Sequence, residues 1–320
     1  MQPNSGGGRT VLVTGAGGFV GRALVPRLLD RGDRVRALVR AGGRPAPAGC
    51  ETVAVADMAA ADWPALVAGS DAVVHLAARV HRAGETGPDA VAAYRRDNTD
   101  ATRALAEAAA VAGVGRFVLV STAHVVPLVE AIGLGRTTEA AAWAEHPYGM
   151  SKVEAEAAVL RVRAATGLPA VVLRPPLVYG PGAVANIAAL LKAVRWGVPL
   201  PLGAVRNRRS LVYVGNLAAA IEAAIDHPAA PGHVFAVSDD DDVSTPELVR
   251  RLARALGRRA PWMPAVPPPV LARLLRLAGR EGWIERLTGD AVVDAGPLRE
   301  TLGWTPPHTM DEGLRSLRAG

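Results

Sequence analysis

From residue 10 to residue 178 short apolar runs alternate with helical stretches, and this rhythm leaves few folds open to the chain. The candidate strands are TVLVTG (10–15), RVRALVR (34–40), ETVAVAD (51–57), AVVHLAA (72–78), RFVLVST (116–122) and AVVLRPPLV (170–178). The clearest intervening helices are DATRALAEAAAVAG (100–113) and KVEAEAAVLRVRAATG (152–167). Short strands separated by helices imply a parallel sheet covered on both faces, because each crossover lays a helix against the sheet. The expected class is α/β, a doubly wound parallel sheet. Beyond residue 180 the rhythm changes. Pro-rich punctuation (VPLPLG, MPAVPPP, GWTPP) separates short helices and isolated strands such as SLVYV (210–214) and HVFAV (233–237). STPE (244–247) reads as a helix start, with a hydroxyl cap, an early proline and a first-turn acid. A smaller, mixed C-terminal lobe is therefore expected.

Half of the 320 residues are hydrophobic but only 4% are aromatic, so the core must be built from Ala, Val and Leu. One cysteine, Cys50, rules out an intrachain disulfide and suits a reducing cytoplasm, the expected location. The seven histidines show no paired metal-ligand spacing, and no metal site is expected. No apolar run is long enough to span a bilayer, and MQPNSGGGRT lacks a signal-peptide core; residues 1–8 read as a flexible tail. The net charge of +6 suggests anionic partners. The arginines, however, are interspersed with carboxylates in helices such as RLLDRGDR, without aromatic-basic interleaving, so nucleic acid is not expected.

VLVTGAGGFVG (11–21) reads strand, glycine turn, helix. The spacing of Gly15, Gly18 and Gly21 lets backbone approach a pyrophosphate at a helix N-terminus, which points to a dinucleotide-binding, Rossmann-type unit. An acid closing the second strand would bind ribose hydroxyls, and a basic side chain would accept a 2′-phosphate. Here VRALVR has no acid and ends in Arg40, with Arg36 in the strand and Arg22 after the last glycine. NADP is therefore expected over NAD. Asp57, at the end of the third strand, is either an acceptor for the adenine amino group or a turn residue.

YGMSK (148–152) places a tyrosine and a lysine one helical turn apart, in a chain with only two lysines, Lys152 and Lys192. That spacing puts both on one helix face, where an ammonium would favour the phenolate and lower the tyrosine pKa toward that of a general base.

Together these pieces resemble the extended short-chain dehydrogenase/reductases, the NAD-dependent epimerase/dehydratase family. The resemblance runs from about residue 10 to LGWTPP (302–307), through TGAGGFVG, VVHLAA, Asn98, LVSTAHV, YGMSK, RPPLVYGPG and RRSLVYVGN. It implies a dinucleotide domain over 9–180 and 205–238, and a nucleotide-sugar lobe over 181–204 and 239–320. It implies that Tyr148 exchanges a proton with the substrate oxygen and that Lys152 lowers its pKa and holds the nicotinamide ribose. Thr122 would donate its hydroxyl to the same oxygen, with Ser121 as the alternative. The cofactor would touch Gly15, Gly18, Phe19, Val20, Arg40, Asp57, Leu76, Ala77, Ala78, Lys152 and Pro175. Asn186 and Arg209 match positions that contact the sugar diphosphate, with Arg206 and Arg208 close enough to confuse the second. Relatives read Arg-Asp where this chain has Arg209-Ser210, and Arg286 is a further phosphate candidate.

The loop after the strand carries Ala123 and His124 where related 4,6-dehydratases carry Asp-Glu, so elimination of water is not expected. Redox chemistry at C4 of a nucleotide sugar is what the resemblance leaves. The basic strand end tilts the expectation toward a 4-keto-sugar reductase using NADPH; the alternative is a UDP-hexose 4-epimerase with retained NAD. A reductase of a non-nucleotide carbonyl substrate and a non-catalytic nucleotide-sensing protein stay as further alternatives. A homodimer is expected from the family, and residues 128–146 are expected to form a loop over the active site.

Overall fold

The structure is a computed structural model that describes residues 8–80, 85, 87–123, 146–183, 186–277, 279 and 282–318. Residues 1–7 of the tail expected over 1–8, His124 and nearly all of the expected 128–146 loop fall outside the described residues.

The first half alternates as the periodicity predicts. Strand β1 (Thr10–Thr14) leads to α1 (Phe19–Asp30), β2 (Arg34–Arg40) and β3 (Glu51–Val55). A 3₁₀ turn (Met58–Ala60) and α2 (Trp63–Val67) follow, then β4 (Ala72–His75) and α3 (Pro88–Tyr94). A π-helical turn (Arg95–Asp100) joins α3 to α4 (Ala101–Val111), which is followed by β5 (Arg116–Val120), α5 (Pro147–Thr166) and β6 (Ala170–Arg174). The seven-stranded sheet runs β3-β2-β1-β4-β5-β6-β9, where β9 is Val234–Ala236, and every neighbouring pair is parallel. In β1, Val11 and Val13 face a core shared with Leu24, Leu28 and Ile221, while Leu12 faces a second core with Leu105, Phe117 and Val159. The period-2 alternation thus feeds two buried faces.

AVVLRPPLV is two strands rather than one. Pro175 and Pro176 have no N–H for a ladder, so β6 stops at Arg174, and β7 (Leu177–Tyr179) leaves the sheet to pair with β8 (Leu211–Tyr213). Between them lies α6 (Asn186–Trp196), and α7 (Val214–Asp226) follows β8 to pack against α1. Helix α1 runs through Pro26 and buries Leu24, Val25 and Leu28 around it.

The C-terminal elements are α8 (Thr245–Ala255), α9 (Pro268–Leu277), α10 (Gly282–Thr288), α11 (Gly296–Leu302) and α12 (Met310–Arg315). Helix α8 starts where STPE predicts, with the Ser244 hydroxyl accepting from Glu247 N at 3.3 Å. Leu248, Val249 and Leu252 of α8 join Leu211, Ile187 and Leu314 in a third core. Asp239 ties this lobe to the sheet: it accepts from Tyr179 Oη at 2.7 Å, Tyr213 N at 2.9 Å and Asn216 Nδ2 at 2.8 Å.

Candidate functional site

The carboxyl ends of β1, β4, β5 and β6 point to one side of the sheet, and the functional groups cluster there. At β1 the chain turns through Gly15, whose φ of +69° is strained for any side chain; a Cβ there would lie 2.8 Å from Ala77 N. At Gly21 a Cβ would meet the Ala16 Cα at 2.6 Å, so this glycine lets α1 pack close to the turn. Gly18 caps α1 with its N–H on Gly15 O at 2.9 Å, leaving Phe19 and Val20 to open the helix with outward backbone N–H groups. This cradle fits a pyrophosphate.

A buried polar chain, not anticipated from VVHLAA, fixes the cradle's second wall. Thr14 Oγ1 accepts from Leu76 N and Ala77 N, both at 3.2 Å, so its own proton goes to His75 Nδ1 at 2.7 Å. His75 Nε2 then donates to Thr102 Oγ1 at 2.9 Å. Burial, reinforced by the charge of Lys152, holds His75 neutral with a pKa down to about 3. The sequence signal was a lone histidine in an otherwise apolar strand.

Beyond this wall opens a cavity lined by Arg40, Asp57, Ala77, Ala78, Arg79 and Arg96. Arg40 is exposed at the end of β2, and no hydrogen bond or ion pair among the described residues engages its guanidinium group. Asp57 serves as a turn residue, its Oδ1 accepting from Ala59 N at 2.9 Å, which leaves its other oxygen toward solvent. Arg36 lies elsewhere: it donates to Glu51 at 3.1 Å and to the Leu66 and Ala68 carbonyls at 3.0 and 2.9 Å. Arg22 is exposed on α1.

Helix α5 presents the YGMSK pair. His146 caps it, accepting from Tyr148 N through Nδ1 at 3.1 Å, with Pro147 at the first helical position. The π turn carries Asn98 inward, where its side chain accepts from Arg79 N at 2.7 Å and donates to Arg79 O at 3.1 Å and Ser151 Oγ at 2.9 Å. Ser151 Oγ donates in turn to Tyr148 O at 2.8 Å. This relay sets the rotation of α5 against the end of β4. The Tyr94 ring meets Tyr148 edge-on at 6.1 Å and His146 at 6.3 Å, with the Arg79 guanidinium 5.2 Å above it.

The charge state of the pair departs from expectation. Burial, with a smaller contribution from Tyr94, pushes the Tyr148 pKa up to about 12, rather than down. Burial also brings Lys152 down to about 8, against a raising effect of Glu156. The reason is geometric: Lys152 Nζ donates to Val120 O at 3.0 Å, at the end of β5, and its charge does not figure in the Tyr148 shift. Ser121 and Thr122 follow β5 directly, and both are buried. Ser121 N donates to Leu173 O at 2.8 Å and Ala123 N to Pro175 O at 2.8 Å, so Pro175 borders this segment. The Ser121 hydroxyl is buried and has no hydrogen-bond partner among the described residues.

One turn after Lys152, Glu156 forms a fully buried ion pair with Arg174, whose Nε lies 3.0 Å from both carboxylate oxygens. Arg174 opens the RPPLVYGPG motif, but its pairing with Glu156 was not anticipated.

Just before β8 the three neighbouring arginines separate. Arg206 and Arg208 are exposed, the latter paired with Asp242 at 3.0 Å. Arg209 is buried; its Nη1 donates to Arg286 O at 3.1 Å and Gly289 O at 3.2 Å. Arg209 and Arg286 line one cavity with Leu177, Leu190, Leu248 and Trp283. Ser210, where relatives read aspartate, donates its hydroxyl to Asp242 Oδ1 at 2.5 Å, so a carboxylate reaches this place from another loop. The charge of Arg286 reaches His146 and, after burial, is the second cause of its lowered pKa. Asn186 opens α6, but its side chain lies outside the described residues.

The family model of the NAD dependent epimerase/dehydratase family matches residues 11–238. A UDP-glucose 4-epimerase of Vibrio cholerae is 38% identical over 311 residues, covering 96% of this chain and 94% of the relative. A 2-alkyl-3-oxoalkanoate reductase of Stenotrophomonas maltophilia is 30% identical, covering 97% of this chain and 98% of the relative. Among solved structures, MoeE5 in complex with UDP-glucuronic acid and NAD superposes with a TM-score of 0.73 at 25% identity, covering 97% of this chain and 98% of that one.

Proposed function

The chain belongs to the NAD dependent epimerase/dehydratase family as an NAD(P)-dependent oxidoreductase/epimerase, and on that premise we propose that it performs redox chemistry at C4 of a UDP-hexose, with 4-epimerisation as the net reaction. One observation carries the reading: the cavity lined by Arg209 and Arg286 lies close enough to the catalytic helix for Arg286 to act on His146, two residues before Tyr148. Two guanidinium forks suit a diphosphate, whereas an alkyl or steroid ketone offers them nothing to bind. The likeness to a UDP-glucose 4-epimerase and to a structure holding UDP-glucuronic acid with NAD supports the same substrate class.

The strained Gly15 turn and the close approach at Gly21 suit a nicotinamide dinucleotide, with Phe19, Val20, Leu76, Ala77 and Ala78 around it. When bound, the nicotinamide supplies the hydride acceptor and donor. As the phenolate that the Lys152 ammonium would favour once the cofactor is bound, Tyr148 Oη would take the proton of the C4 hydroxyl as the carbonyl forms and return it when the carbonyl is reduced. Ser121 and Thr122 offer hydroxyls to that oxygen from the end of β5. Lys152 has three protons and commits one to Val120 O, which leaves two for a ribose hydroxyl and for the phenolate side of Tyr148. The Asn98–Ser151 relay holds the Tyr148 backbone while the sugar turns over.

A second reading, reduction of a 4-keto sugar nucleotide by NADPH, is favoured by Arg40, a disengaged guanidinium lining the cavity at the end of β2. The test separates the two. Purified protein is offered UDP-glucose, UDP-galactose and their N-acetyl counterparts without added cofactor, and the sugars are followed by NMR. Interconversion at C4 is expected, reduced about 10²–10⁴-fold in Tyr148→Phe. Absence of interconversion together with NADPH oxidation by a 4-keto sugar nucleotide would replace the epimerase reading with the reductase.

A further inference from the structure

No Asp or Glu lies between Glu156 and Glu222, and none lies between Glu247 and Glu281. Parts of these two acid-free segments fold onto each other. Leu200 N donates to Trp262 O at 3.0 Å, Gly203 N to Pro264 O at 3.1 Å, and Arg258 Nη1 to Arg195 O at 3.0 Å. Helix α9 closes over this junction by burying Leu271 against Leu202 and Val205, with Leu275 beside them.

The outward side of α9 is not polar, as an amphipathic surface helix would make it. Val270, Leu274 and Leu277, spaced four and three residues apart, are 49%, 51% and 78% exposed. Arg273 and Arg276 stand exposed on the same helix, and their guanidinium groups make no hydrogen bond or ion pair among the described residues. Trp262, in the segment before α9, and Trp196, at the end of α6, are 71% and 70% exposed. Lys192 lies 4.4 Å from the Trp196 ring centroid.

We propose that this edge of the C-terminal lobe docks onto an anionic lipid bilayer. Leucines on a convex helix can enter the acyl boundary while arginine stems reach back to headgroup phosphates. Tryptophan rings suit the depth between the two. Among the described residues no carboxylate pairs with these two guanidinium groups, and an anionic surface supplies the complementary charge. A second copy of the same face would oppose arginine to arginine across a two-fold axis, which disfavours self-association there.

The full chain is sedimented with vesicles of phosphatidylcholine alone and of phosphatidylcholine with phosphatidylglycerol. Binding is expected to rise with the anionic lipid, to weaken as salt shortens the Debye length, and to fall about tenfold or more in Arg273→Gln/Arg276→Gln. Leu274→Glu/Leu277→Glu should lose a comparable factor; Val111→Glu, on α4 and 92% exposed, should lose none. If circular dichroism shows the leucine pair misfolded, the arginine pair decides. Equal binding to both vesicle types, or an equal loss in Val111→Glu, would overturn the proposal. So would a change in sedimentation coefficient of Leu274→Glu without lipid, since the face would then be covered by another copy.

Discussion

Lys152 is a charge that the fold works against. Its pKa falls from 10.5 to about 8 because α5 carries it into a site shielded from water, where the ammonium keeps one carbonyl partner and the help of Glu156. Between pH 8 and 10.5 the unfolded chain holds more protons than the folded one, so this residue's penalty is complete below about pH 8 and fades as pH rises toward 10.5. Lys152→Met should therefore be more stable than the wild type near pH 7, by on the order of 2 kcal/mol, while losing turnover. Urea denaturation at pH 7 and again near pH 10 checks this: the gain should shrink at the higher pH, and an unchanged or inverted difference would sink the account. The Tyr148–Lys152 pair was legible in sequence because helical spacing alone puts both residues on one face. The direction of the Tyr148 shift was not, because it depends on which oxygen the ammonium meets and on the Tyr94 ring packed against it.

At the scale of elements, the end of β6 and the middle of α5 are joined by Arg174 and Glu156, both without solvent exposure. A single buried charge left without its partner costs about 3–5 kcal/mol, whereas an apolar replacement of the whole pair is often neutral or better. Arg174→Met or Glu156→Leu alone should destabilise by that amount, and the double variant should recover most of it, as read by denaturant titration. Equal additive losses would mean that the two residues act separately. The proline pair beside Arg174 explains why the strand plan was only partly legible: RPPLV is apolar enough to continue a strand, but missing N–H groups end β6 and send β7 to β8. The π turn at Arg95–Asp100 was equally hidden, since residues 100–113 have the pattern of an ordinary helix while the Asn98 relay upstream is a contact between distant elements.

Across the whole molecule, the proposed reaction needs the sheet and the C-terminal lobe to hold one substrate together. Arg209→Ala and Arg286→Ala should each raise KM for a UDP-hexose about 10–100-fold with a smaller fall in kcat, measured by steady-state kinetics; Arg208→Ala, exposed and paired with Asp242, should change neither. Equal effects at all three positions would remove the cavity from the substrate path. The amino-acid sequence by itself determined the alternating α/β plan, the glycine cradle, the α5 pair and the Ser244 cap, because each depends on local spacing or on one residue's backbone freedom. Only tertiary structure decided that Arg209 turns inward while Arg206 and Arg208 stay outside, that His75 is neutral, and that Arg286 comes near His146. Those outcomes depend on burial and on charges brought together from residues far apart in the chain, and no local pattern encodes them.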